Sequence, residues 1–127
     1  MSLLINDIAE YLEDEGIGTV GEDIFKSMLP ANIDDVVAVY ETGGLEPDPY
    51  LPTKSPTFQV FIRSSNYTTG MAQAMAVRTA LHRKANITLV AGGNYYYYIL
   101  LMSEPAHLGK DENGRDEFSM NFRCKIR

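Results

Sequence analysis

The sequence holds a single cysteine, Cys124, so no disulfide can close within the chain. At alternating strand spacing that thiol is expected to be a small buried hydrophobe, for which a reducing compartment suffices. No run approaches the eighteen or more apolar residues of a membrane span, and the amino-terminal MSLLINDIAEYLEDE is acidic where an export signal is basic. The expectation is a soluble chain with no membrane partner. Tryptophan is absent, and so are a glycine-rich phosphate loop, a G-x-S-x-G elbow and any His-Cys constellation; Gly92-Gly93 lacks the third glycine and the following helix of a nucleotide fingerprint. Nothing calls for a cofactor or a metal. Bases are the scarcer charge, 11 Lys and Arg against 17 Asp and Glu for a net charge of −6. Affinity for nucleic acid comes mostly from cations that neutralise phosphates, so specific nucleic-acid binding is not expected. A surface past which DNA slides without sticking stays open.

What is present suits one domain over residues 1–127, since a chain of 127 residues with 45% apolar composition fills one sizeable core and not two. Asp7, Glu10, Glu13, Asp14, Glu15, Glu22 and Asp23 all precede the first base, Lys26, and make the amino end a negative surface. Within it Leu4, Ile5, Ile8, Tyr11 and Leu12 recur at helical spacing, with Ser2 as a candidate N-cap and Gly16 and Gly18 ending the helix. Acids in its last turn oppose the helix dipole, so packing must hold it. IFKSML before Pro30 reads as a short strand and VVAVYE, residues 36–41, as a firmer one. Four prolines between Pro47 and Pro56 then mark a semi-rigid loop. TFQVFIRS follows as a strand with Phe58, Val60 and Ile62 on its core face.

Residues 67–85 carry an apolar stripe of Met71, Ala74, Met75, Val77 and Leu81, with Thr68 or Thr69 to cap the start. His82, among bases at the end of that helix, reads as a solvated capping charge. NITLVA and YYYYILLM flank Gly92-Gly93-Asn94 as a hairpin. Strict alternation of the second strand puts Tyr95, Tyr97, Ile99 and Leu101 on one face and Tyr96, Tyr98, Leu100 and Met102 on the other. Both faces are apolar or aromatic, so one covers the core and the second needs a helix, a loop or another subunit. The stretch DENGRD, Asp111 to Asp116, has the composition of a calcium loop but not its order: counting from Asp111 puts Arg115 at the fifth ligand position and Asp116 where glycine belongs. Asn113-Gly114 is instead a two-residue hairpin signal between a strand ending near Ser103 and a long strand in which Phe118, Met120, Phe122, Cys124 and Ile126 alternate with polar residues. The charges of that turn are expected in water. Glu104 and Asp116 are not paired by any spacing. Composition and spacing alone thus stop at a soluble α+β domain.

The order of these elements, with ETGG at Glu41 to Gly44, SEP at Ser103 to Pro105 and LGKDENGRDEFSMNF at Leu108 to Phe122, resembles bacteriophage minor capsid proteins allied to tail terminator and head-to-tail joining proteins. The resemblance spans nearly the whole chain. It implies a small, mostly antiparallel sheet of about five or six strands flanked by two helices, no catalytic residues, and assembly with itself into a six-membered ring that caps the tail tube and meets the head connector. It also implies location in the virion, after assembly in the bacterial host cytoplasm, with the tail tube protein and a head-completion protein as partners. A head-to-tail ring needs two different faces on each protomer. Candidate subunit contacts are Tyr50 of the proline loop, Tyr95, Tyr97 and Arg115; Glu10, Glu13 and Asp14 are candidates for an acidic pore or surface patch. A head-side connector or minor capsid protein is the alternative within the class. A stand-alone binding module or a small enzyme is the alternative outside it.

Overall fold

The computed structural model describes residues 3–44, 46 and 49–127. The elements run α1 (Leu4–Asp14), β1 (Ile24–Lys26), β2 (Val36–Gly44), β3 (Pro56–Ser64), α2 (Tyr67–Leu81), β4 (Lys84–Thr88), β5 (Tyr95–Lys110) and β6 (Asp116–Ile126). The six strands form one sheet in the order β1-β2-β3-β6-β5-β4, antiparallel throughout except for the parallel β1–β2 pair. This is the α+β, mostly antiparallel architecture expected from the sequence.

Both helices pack on one face of the sheet, α1 over β1 and β2 and α2 over β3, β5 and β6. Alternation in β6 is complete: Phe118, Met120, Phe122, Cys124 and Ile126 enter the core while the residues between them turn away. Phe58 of β3 stacks on Phe122 with ring centroids 5.1 Å apart, which ties the two central strands through the core. Val37 and Val39 of β2, Ile8, Ala9 and Leu12 of α1 and Ala74, Val77 and Leu81 of α2 complete that core. Burial pushes the Cys124 thiol up to about 12, so it is a packed hydrophobe and not a nucleophile.

Helix α1 ends as its glycines suggest. Gly16 takes φ +80°, and Gly16 N–H and Ile17 N–H bond the carbonyls of Glu13 and Leu12, the paired closing bonds of a left-handed C-terminal cap. Ser2 lies outside the described residues; the N-cap position is held by Leu3, which has no side chain to cap with. Helix α2 is capped not by Thr68 or Thr69 but by Asn66, whose Oδ1 accepts from Thr69 N–H at 2.8 Å. It also stops at Leu81 and not at residue 85. His82 is extended, half-buried, and accepts Leu101 N–H on Nδ1 at 3.1 Å, so it joins the helix end to β5 and is no solvated charge. Met75, expected in the stripe, is exposed, and Gly70 is buried in its place.

The last hairpin departs most from expectation. β5 continues past Ser103 to Lys110, paired with β6 through several register shifts, because residues 103–110 bond through the backbone without an apolar alternation to announce it. The turn is formed by Asp111 to Gly114, with Gly114 N–H on Asp111 O at 3.1 Å. Gly114 alone has positive φ there, which the mirror-image two-residue turn would also require of Asn113.

Candidate functional site

The DENGRD turn is a clamp. Asp111 accepts Asn113 N–H and Arg115 N–H on Oδ1, each at 2.9 Å, and the Arg115 guanidinium Nε on Oδ2 at 2.7 Å. The same guanidinium donates through NH1 to the carbonyls of Ala31 and Ile33 at 2.7 and 3.3 Å, with Asp34 at 3.6 Å. Arg63, on the outward side of β3, donates to the carbonyls of Pro30 and Ile33. Two guanidinium groups therefore hold residues 27–35, the crossover that parallel β1 and β2 require, across the outer face of the sheet over Val36 and Ala38. Burial, and next the neighbouring Arg115 cation, lower the pKa of Arg63. Partial burial pushes the Asp111 carboxyl up, but the hydrogen bonds from Arg115 and Asn113 outweigh it and hold it below the usual carboxylate range.

Sequence spacing placed these charges in water. Arg115 is instead 7% exposed and Asp116 2% exposed. The reason is three-dimensional: the carbonyls that receive Arg115 lie more than eighty residues away in the chain. Arg115, expected at a subunit contact, sits in this internal clamp.

Asp116 points to the helix side, where His107 Nε2 lies 2.9 Å from Oδ1 and Lys110 Nζ 3.1 Å from Oδ2. Burial raises its pKa, and the hydrogen bonds of Lys110 and His107 more than reverse that. The His107 ring also meets the edge of Tyr67, centroids 5.0 Å apart, and packs on Phe118. Glu104 is bound elsewhere, in a two-pronged pair with Arg78 at 2.7 Å on both oxygens. The two carboxylates have separate cationic partners and do not form an acid–base pair. Among the described residues no cluster of three or more His, Cys, Asp or Glu side chains is placed to hold a metal ion.

The tyrosine run does not alternate. Tyr96 pairs with Ile126 but Tyr98 pairs with Lys125, so Tyr97 is an extra residue, a β-bulge. Before the bulge the even position faces the core, and after it the odd ones do: Tyr96 and Ile99 are buried and Leu101 packs partly on the core. Tyr95, Tyr97 and Tyr98 are left half-buried on the outer side. Tyr95 and Tyr97 meet edge to face with centroids 5.2 Å apart, and the Arg127 guanidinium sits 5.8 Å from the Tyr95 ring centre. Tyr97 and Lys125 also line a surface hollow with Leu51, Pro52 and Thr53, the end of the proline-rich segment, and Tyr50 beside them is 92% exposed. Three of the four candidate contacts, Tyr50, Tyr95 and Tyr97, are therefore neighbours on one surface, with Arg123 and Lys125 facing the same way from β6.

Tyr96 does different work. Its hydroxyl donates to Asp7 Oδ2 at 2.8 Å, and Asn94 adds its backbone N–H and side-chain Nδ2 at 3.0 and 2.9 Å. Asp7, counted by sequence with the acidic surface, is 1% exposed and locks α1 to the β4–β5 connection. Glu10, Glu13 and Asp14 do lie on the exposed side of α1, with Glu13 accepting Val20 N–H at 2.8 Å. The sequence reading missed Asp7, Arg63, His107 and Lys110 as organising residues, and only the odd parity of Arg63 in its strand signalled that its charge lay on the outer face.

Comparison with known proteins places this geometry. No curated protein matches the sequence. Among solved structures, a chain from "Virion of native gene transfer agent (GTA) particle" has the same fold, with a TM-score of 0.74, 14% identity, and coverage of 97% of this chain and 93% of that one. The sequence profile described as "Bacteriophage tail terminator protein" matches residues 11–127. That stretch runs from the middle of α1 through the last residue and takes in all six strands, so the chain belongs to the bacteriophage tail terminator proteins.

Proposed function

We propose that this tail structural protein acts as a single-domain subunit of a ring, six-membered in the completed particle, that caps the finished tail tube and presents it to the head connector. The observation that carries this reading is the family match over residues 11–127 on a fold shared with a virion component. Support from the molecule itself is the presence of two unlike exposed surfaces, the tyrosine-rich outer face of the sheet and the acidic side of α1, since a ring closes only through contacts between different patches. The mechanism is geometric. Subunits that hold one another weakly in solution become a stable cap when the end of a tail tube offers several docking sites at once. No step of it needs catalysis, a cofactor or a grip on DNA, and the acidic balance of the chain suits a component that DNA passes without sticking.

The test is a phage from which the gene is deleted. The expected particles are filled heads and separate tail tubes of variable length. Tails of correct length that fail to join heads would move the protein to the head-side joining role. Normal infectious particles would remove the reading altogether.

A further inference from the structure

We propose that the outer face of the sheet around Tyr95, Tyr97, Tyr98, Arg123 and Lys125 is a docking surface for the acidic α1 of a second copy of this chain. The inference rests on the ring reading and names the two surfaces that would meet. On the receiving side, Leu100 and Thr57 pair in register with Arg123 and Tyr98 with Lys125, so two cations sit among tyrosine, leucine and threonine on a face held under residues 27–35 at its far end and bordered at Tyr97 and Lys125 by Leu51, Pro52 and Thr53. Neither Arg123 nor Lys125 has an acidic partner among the described residues. Tyrosine and arginine together are the composition that protein interfaces favour: large rigid area with polar tips and charge-assisted donors.

The same chain carries the complement. Glu10 and Asp14 are one helical turn apart on the exposed side of α1, flanked by Glu13, and neither Glu10 nor Asp14 is in an ion pair among the described residues. α1 lies on the inner side of the sheet, whereas Arg123 and Lys125 alternate with Phe122 and Cys124 and so point out of the other side. Opposite placement decides the symmetry. In a twofold dimer both copies would have to insert α1 into the partner's outer face at once, and patches on opposite sides of one sheet cannot both be turned toward the same partner. Head-to-tail association, in which each copy gives α1 to one neighbour and receives α1 from the other, satisfies every patch and closes as a ring. The bulge at Tyr97 is what makes the receiving face, since without it the strand would alternate and Tyr98 would point with Tyr96 toward the core.

Charge exchange tests this. The double variants Glu10→Lys with Asp14→Lys, and Arg123→Glu with Lys125→Glu, alter exposed or half-buried side chains outside the core, and melting curves check that each folds. Sedimentation velocity of the wild-type chain at low salt is expected to show concentration-dependent association that weakens as the Debye length falls from about 10 Å at 0.1 M salt to about 3 Å at 1 M. Each double variant alone is expected to associate at least about tenfold more weakly, because like charges are brought face to face. An equimolar mixture of the two is expected to recover association, since both contacts of an alternating assembly are then complementary. Double variants that associate like the wild type, a mixture of folded variants that fails to recover, or a wild-type chain that stays monomeric at low salt at every concentration would overturn the pairing. So would a short DNA duplex that binds the outer face and is lost with Arg123→Glu. None of these outcomes touches the tail-length result, which reads the ring function separately.

Discussion

At the scale of single residues, the positions that matter are those where a polar group or a missing side chain is enclosed. Asp7 draws three hydrogen bonds from Asn94 and Tyr96 in a site closed to solvent, where an unmet acceptor costs about 1 to 3 kcal/mol. Burial, and then the bond to Asp7, push the Tyr96 hydroxyl far above its ordinary range, so it remains a donor. Gly70 is enclosed in the opposite sense. A Cβ built there would lie 2.3 Å from Cε1 of Phe118 and 3.0 Å from Cβ of Ser64, both in the tight seam between α2 and the sheet. Two effects compete for Gly70→Ala: better helix propensity, worth roughly 1 kcal/mol, and overpacking, which costs typically about 1 to 3 kcal/mol. Phe118 is fully buried and also meets Tyr67 and His107, so its ring cannot swing clear. Overpacking wins, and chemical denaturation of Gly70→Ala is expected to show a net loss of up to about 2 kcal/mol. A variant as stable as the wild type would show that the seam can widen.

At the scale of elements, the doubly apolar strand β5 resolves into two jobs separated by one bulge, and that separation predicts how substitutions divide. Tyr95 and Tyr97 face outward, so replacing both by Ser is expected to leave the melting midpoint within a few degrees while weakening self-association. Replacing the core residue Tyr96 by Ala is expected to cost about 3 to 5 kcal/mol, enough to unfold a marginal domain. A collapsed midpoint in the outward pair, with association unchanged, would instead make that face part of the protomer's own structure. The strand also shows where legibility ends. β6 could be read at sight because Phe118 to Ile126 alternate without interruption, and α1 because its stripe and Gly16 fix both face and end. In YYYY every position is the same residue, so no periodicity marks the slip at Tyr97. Beyond Met102 the strand is held by backbone pairing with β6, which polar residues and Pro105 do not advertise. Arg115 was legible as a cation misplaced for calcium, but not as a clamp, because its acceptors are backbone carbonyls of residues 31 and 33 that only folding brings near.

At the scale of the whole molecule, acid response is set by two opposed effects that act in different pH windows. The chain carries a net charge of −6 at neutral pH and a sequence isoelectric point near 4.8, so its self-repulsion falls as pH drops from 7 toward 5 and stability is expected to hold or rise slightly there. Asp111 and Asp116 act lower down. Both carboxyls are held below the ordinary value in the folded chain, Asp111 by Arg115 and Asp116 by Lys110 and His107, so over that interval the unfolded chain binds more protons than the folded one. Their contribution is therefore fully present above the unfolded carboxylate pKa of about 3.9 and is lost as pH falls through the lower folded values. The losses are structural, since protonating Asp111 loosens the clamp on residues 27–35 and protonating Asp116 frees the tip of the β5–β6 hairpin beside Tyr67. Thermal melts of dilute protein, where association does not intrude, are expected to be flat or slightly rising from pH 7 to about 5 and to drop steeply below about 4. Asp116→Asn is expected to lower the neutral midpoint and flatten the acid limb, because the group that titrates there is gone. A midpoint indifferent to pH between 5 and 3 in the wild-type chain, or an acid limb unchanged in Asp116→Asn, would show that these two carboxylates do not hold the hairpin and crossover together.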